Sequence, residues 1–219
     1  MSIRRRFHSL LLSCLLVPVI LSSCSDSEPS VLSVEHFVVF DYADNDTVPL
    51  VYLAVFAETG SDARRANVIR AYSEETGLEW ETGDLIRYPG DEKRFWSGCP
   101  KFAVPAGKNL PTGRYVLYYE DMASRVSEFM FTVDYPSDKP GSPLNEVKET
   151  SFGGKRQTAV YDGDRVLLYF GDHKKSWKKD SDIADEYATA RTARTCYING
   201  GVMYLLPERN IFEEQNADD

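Results

Sequence analysis

From Val31 to Tyr135, apolar and polar positions alternate in short runs, each closed by Gly, Pro, Asp or Asn. The stretches VEHFVVF, VPLVYLAVFAE, ANVIRAYS, GLEWE, KFAVP, GRYVLYYE and RVSEFMFTVDY are rich in β-branched and aromatic residues, so each predicts a strand. In PLVYLAVFA, Tyr52, Ala54 and Phe56 alternate with Val51, Leu53 and Val55, which leaves both faces apolar and predicts a central strand covered on both sides. Thr76-Gly77 and the Asp121–Ser124 connection each predict an antiparallel hairpin. About seven short strands in this span is the pattern of a two-sheet sandwich.

YPSDKPGSP, residues 135 to 143, concentrates Pro, Ser, Gly and charge and marks a boundary. Beyond it, TAVYDGDRVLLYF predicts a hairpin turning at Asp162-Gly163, and TCYINGGVMYLL another at Asn199-Gly200-Gly201. Between them, DSDIADEYATARTAR has good helix formers, an acidic start and a basic end, so it predicts a helix over 180–194 capped by Asp180 or Ser181. The expected fold class is mainly β. A sandwich spans 31–135, followed by a linker over 136–143, a small β-rich unit with one helix over 144–210, and a frayed tail over 211–219. The second unit is too small to hold itself together and is expected to pack against the first.

The apolar run LLLSCLLVPVILSSC, Leu10 to Cys24, follows Arg4, Arg5 and Arg6. Its uninterrupted apolar part is about a dozen residues, short of the roughly 20 that a membrane-spanning helix needs. Pro18 also argues against a buried N-terminal helix. A basic region, an apolar region and then small residues form the layout of a secretory signal peptide, here residues 1–23. Leu21, Ser22, Ser23 and Cys24 resemble the bacterial lipobox. That resemblance implies a diacylglycerol thioether on Cys24, cleavage after Ser23 and acylation of the freed amine. Several acyl chains on one residue make a stable anchor, whereas a single chain holds only marginally. Residues 24–30 then form a short polar tether. RRRF also touches the twin-arginine export pattern, but Ile3 stands where that pattern has Ser or Thr, and the leucine-rich run suits the general secretory route. Cys14 falls in the discarded segment.

NLPTGRYVLYYED, residues 109 to 121, resembles the penultimate strand of bacterial immunoglobulin-like and fibronectin-type modules. Leu110, Pro111, Gly113 and Tyr115 match. The resemblance implies an immunoglobulin-like antiparallel β-sandwich with Tyr115 as a tyrosine corner, its hydroxyl bonded to nearby backbone. Trp80 is the candidate inter-sheet aromatic.

The 219-residue chain has a net charge of −9. Loss of residues 1–23, whose only charges are the three arginines, leaves 196 residues at −12. Most of that acidity lies in residues 24–143, with 11 basic and 20 acidic side chains against 11 and 14 in residues 144–219. An acidic body argues against nucleic acid as a partner, because phosphate binding relies on Lys and Arg. Beyond the anchor remain Cys99 and Cys196, which an oxidising compartment would allow to pair; the alternative is two buried thiols. With only His36 and His173 to join them, their spacing is not that of a zinc site.

Local motifs give little chemistry. DYADNDT holds Asp41, Asp44, Asn45 and Asp46 but not the spacing of a calcium loop, so it predicts a turn built of Asx residues. Asp172-His173 with a distant cysteine lacks any nucleophile signature, Asp162-Gly163-Asp164 is a turn before it is an acid pair, and FGGKR lacks the phosphate-loop pattern. HKKSWKKD departs from its surroundings: Lys174, Lys175, Lys178 and Lys179 flank Trp177 in an acidic protein, as a candidate contact for anionic lipid headgroups or an acidic envelope polymer, with a solvated loop around a packed Trp as the alternative. The expected function is a lipid-anchored cell-envelope binding or structural module, exported and held at a bacterial membrane, needing no cofactor and no metal. Its partner would be an envelope protein or cell-wall polymer. The alternative is a hydrolase-like envelope enzyme whose site is not a local motif.

Overall fold

The structure, a computed structural model, describes residues 29–60, 66–89, 94–105, 108–136 and 142–212. The expected signal peptide over 1–23, Cys24 and most of the expected tail lie outside the described residues. The fold is mainly β, with two sheets packed face to face. Strands β1 (Val31–Asp41), β2 (Leu50–Thr59), β3 (Ala66–Ser73), β4 (Glu79–Thr82), β5 (Ile86–Pro89), β6 (Phe95–Ala103), β7 (Gly113–Asp121) and β8 (Val126–Val133) precede the boundary. After it come β9 (Lys155–Asp162), β10 (Leu167–Asp172), helix α1 (Asp180–Glu186), β11 (Ala190–Asn199), β12 (Val202–Leu205) and β13 (Arg209–Asn210).

The smaller sheet runs β4-β3-β7-β8, and the larger runs β10-β9-β11-β12-β1-β2-β6-β5, with β13 paired to β11. Alternation sets what faces inward. Val38 and Phe40 of β1 stand opposite Leu53 and Val51 of β2, and all four are buried in the main core. Ile69, Tyr115, Leu117, Phe131 and Val133 meet them from the smaller sheet. Strand β2 lies between β1 and β6, as its two apolar faces predict.

The C-terminal hairpins extend the same sheet. Strand β12 pairs parallel to β1, with Val38 beside Val202 and Phe40 beside Tyr204. Phe152, Tyr197, Val202 and Tyr204 are therefore part of the main core. Tyr204 stacks on Phe40 at 5.1 Å and meets Phe152 at 4.7 Å between ring centroids. Farther along, β9 and β11 turn their inner face to α1, and a second core forms from Val160, Trp177, Ile183, Ala190, Ala193 and Ile211.

Three expectations need correction. Helix α1 stops at Glu186, and residues 190–199 form β11. The helix formers in ATARTAR give way because β9 offers a full ladder of partners and Ala190 and Ala193 fill the second core, so tertiary pairing overrides a weak propensity. Strand β5 and the FWSGC half of β6, absent from the predicted set, form the sheet's edge. Ile211, expected in the frayed tail, is buried.

Candidate functional site

Two features of the sandwich are as the sequence suggests. The Tyr115 hydroxyl donates to the Pro111 carbonyl at 2.7 Å, closing the tyrosine corner. Burial pushes that phenol up to about 12, so it stays a donor. Trp80 on β4 donates from Nε1 to the Ala103 carbonyl on β6 at 2.9 Å and packs on Tyr115 and Phe102, bridging the sheets.

The lysine-rich segment is organised from within. Trp177 is 5% exposed and its ring belongs to the second core, which matches the packed-Trp alternative and not the interfacial one. Its Nε1 donates to Glu186 Oε2 at 2.9 Å. Lys174 pairs with Glu186, donates to the Tyr187 hydroxyl and lies over the rings of Tyr169, Trp177 and Tyr187 at 4.8, 5.0 and 5.3 Å. A cation over three rings beside a carboxylate is an aromatic cage filled by the chain's own lysine. The bond to Glu186 raises the Lys174 ammonium, and the same bond lowers the Glu186 carboxyl. Asp182 Oδ2 accepts from the backbone N–H groups of Lys179 and Lys178 at 3.0 and 2.6 Å, which caps α1 and holds that carboxyl low. Asp180 binds Arg209 at 3.0 Å. Lys175, Lys178 and Lys179 remain exposed, and Lys178 and Lys179 lie near the Asp182 carboxylate.

The candidate disulfide is not formed: Cys99 and Cys196 are free, buried thiols. They lie on β6 and β11 with β12, β1 and β2 between, so about 19 Å of sheet separates them, against a ceiling of about 7 Å for bridging Cα atoms. Burial pushes the Cys196 thiol up to about 11 and also raises Cys99. His173 bonds Thr158 Oγ1 at 2.9 Å and the Trp177 carbonyl at 3.2 Å, and burial holds it neutral below its ordinary range. Cys196 stands opposite Gln157, one residue from Thr158, so thiol and imidazole belong to opposite faces of the sheet. Asp172 is taken by Lys155 at 2.7 Å. The structure therefore does not bring the imagined thiol, base and acid together.

The remaining motifs are turns. Asp44 Oδ1 accepts from the backbone of Asp46 and Thr47 at 2.9 and 2.7 Å, and Asp162 Oδ1 accepts from Asp164 and Val166 at 2.9 and 2.8 Å. In FGGKR, Gly154 has φ +69° and passes so close to the Ile198 carbonyl that a Cβ would lie 2.0 Å from it, so the glycines serve a backbone crossing.

Two clusters have no sequence motif. Arg194 on β11 binds Asp41 Oδ1 of β1 at 2.6 Å and the Leu206 carbonyl at 2.8 Å, while Tyr52 donates to Asp41 Oδ2 at 3.5 Å. This clamp ties the C-terminal strands to β1 and β2 on the face away from the smaller sheet. At the β7–β8 turn, Asp121 is 1% exposed and pairs with Arg125 at 2.7 Å, while its Oδ1 accepts from the Ala123 and Arg125 backbone. Burial alone would raise that carboxyl, but the bonds from Arg125 and Ala123 outweigh it and hold it low. The turn so fixed carries Met122 at 74% exposure. Both clusters join residues that only the strand order brings together, or lie in a turn of ordinary composition. Comparison with known protein families, curated proteins and solved structures finds no match.

Proposed function

We propose that this chain is a lipid-anchored protein of the bacterial envelope whose β body serves as a binding or structural module, acting on an envelope protein or cell-wall polymer. The observation that carries this is the motif Leu21-Ser22-Ser23-Cys24 behind a short apolar run, with β1 opening at Val31 only seven positions later. An acylated Cys24 would fasten the body close to the bilayer. Thiol chemistry is disfavoured, because both thiols are buried and protonated and His173 is on the other face from Cys196.

Replacing Cys24→Ala should abolish metabolic labelling with a fatty acid and move the protein from the detergent phase to the aqueous phase. Unchanged labelling and partitioning would overturn the anchor.

A further inference from the structure

Three aromatic side chains from three places in the chain meet around the Lys174 ammonium. Tyr169 comes from β10, Trp177 from the loop before α1 and Tyr187 from the residue that ends α1. The Trp177 ring stands at 79° to Tyr169 and 72° to Tyr187, with centroids 5.1 and 6.3 Å away, and the two tyrosine rings lie 6.0 Å apart. Because Lys174 Nζ lies over all three rings, each turns its electron-rich face to the same point. Glu186 adds a full negative charge beside it.

The walls of this cage are held without the Lys174 side chain. The Tyr169 hydroxyl donates to the Asp172 carbonyl at 2.6 Å and folds back over Gly171, where a Cβ would lie 2.9 Å from that oxygen. Trp177 is fixed by Glu186 at its Nε1 and by His173 at its carbonyl. The Tyr187 N–H donates to the Ile183 carbonyl at 2.8 Å, and the Tyr187 carbonyl accepts from Ala190 at 2.9 Å. The occupant is less firmly held than the walls: the Lys174 side chain is 32% exposed, and an ion pair so open to water holds weakly. Trp177 is 5% exposed beneath it, so the lysine is the layer between that ring and water. A primary ammonium is strongly hydrated and recovers in water much of what it loses on leaving. A quaternary ammonium has no N–H to hydrate and is the cation that such cages recognise.

We propose that Tyr169, Trp177, Tyr187 and Glu186 form a binding site for a quaternary ammonium compound, with Lys174 as a resident cation that the ligand displaces. The site does not depend on lipid at Cys24, so its failure leaves the anchor standing and loss of the anchor leaves the site standing.

The test uses the full chain with 5-fluorotryptophan at Trp80, Trp96 and Trp177, titrated with choline chloride against sodium chloride as the ionic-strength control. Choline should move the Trp177 fluorine resonance saturably and leave those of Trp80 and Trp96 in place. The neutral isostere 3,3-dimethylbutan-1-ol should move none of them. Lys174→Ala empties the cage and should bind choline about tenfold more tightly. Adding Tyr187→Leu to that variant should abolish the response, whereas Tyr187→Phe, which keeps the ring, should preserve it. A folded Lys174→Ala chain whose Trp177 resonance ignores choline, or answers the neutral isostere equally, overturns the site and leaves the lysine as its permanent filling. If that variant does not fold, the wild-type titration decides: no response up to about 100 mM choline overturns the site as well.

Discussion

Under the inner face of the large sheet, β1, β2 and β6 meet a second sheet, whereas β9, β10 and β11 meet two turns of helix and the ring of Trp177. The first region is closed by alternating side chains from many strands, so its burial is spread over residues such as Leu53, Ile69, Leu117 and Phe40. The second is closed by one large aromatic held at its edge by Glu186, with Lys174 over the ring. Burial spread over many positions tolerates the loss of any one; burial gathered on one ring does not. The parallel pairing of β12 with β1 binds the two regions, because it carries Tyr204 into the first core.

The largest effect is expected where the regions meet. Tyr204→Ala removes a ring packed between Phe40 and Phe152 and should cost about 3–5 kcal/mol, as large-to-small changes of buried aromatics do. The loss should appear throughout the protein, in the melting of both cores. A loss confined to the C-terminal strands would separate the two regions and break the comparison. Trp177→Ala should cost about 3 kcal/mol, the low end of that range, because the loop can partly collapse. Its effect should be local: faster amide exchange across Ile183 to Tyr187 with the β7–β8 ladder protected as before.

Tyr115→Phe tests the spread-out core. It removes one hydrogen bond to the Pro111 carbonyl and should cost about 1 kcal/mol, with the sheets intact. Acid gives the smallest and most local signal. The folded-state pKa of His173 lies below its ordinary 6.5, so the stability its neutral form contributes is full above that pH and lost as pH falls through the folded value. Glu186 is held below its ordinary 4.5, so its contribution is present above 4.5 and lost at lower pH. With 5-fluorotryptophan in the three tryptophan positions, the Trp177 resonance should move in two steps, one beginning below pH 6.5 and one below 4.5. Glu186→Gln should erase the lower step. A Trp177 resonance unmoved through the titration of both groups would mean that neither supports that ring.

Much of the first region was legible. Strand β2 showed its central place in two apolar faces, and Leu110, Pro111, Gly113 and Tyr115 foretold the tyrosine corner. The second region misled because its signals are long-range. Four lysines around Trp177 read as surface, and only the fold brings Tyr169, Glu186 and Tyr187 to that ring; the i, i+4 pair Ile183 and Tyr187 was the one local hint of an inward face. Residues 190–194 carry helix formers but lie beside β9, and no local pattern reports a neighbour about 30 residues away.

Whether the C-terminal strands complete the sandwich or merely lean on it is decided by cutting the chain at the boundary. Residues 29–136 contain β1 to β8 but lack Phe152, Tyr197, Val202 and Tyr204 of the main core, and they leave the edge of β1 unpaired. Produced alone, that fragment should show no cooperative melt and should bind dyes that report exposed apolar surface. A cooperative melt with the midpoint of the whole chain would contradict a single sheet that depends on both halves.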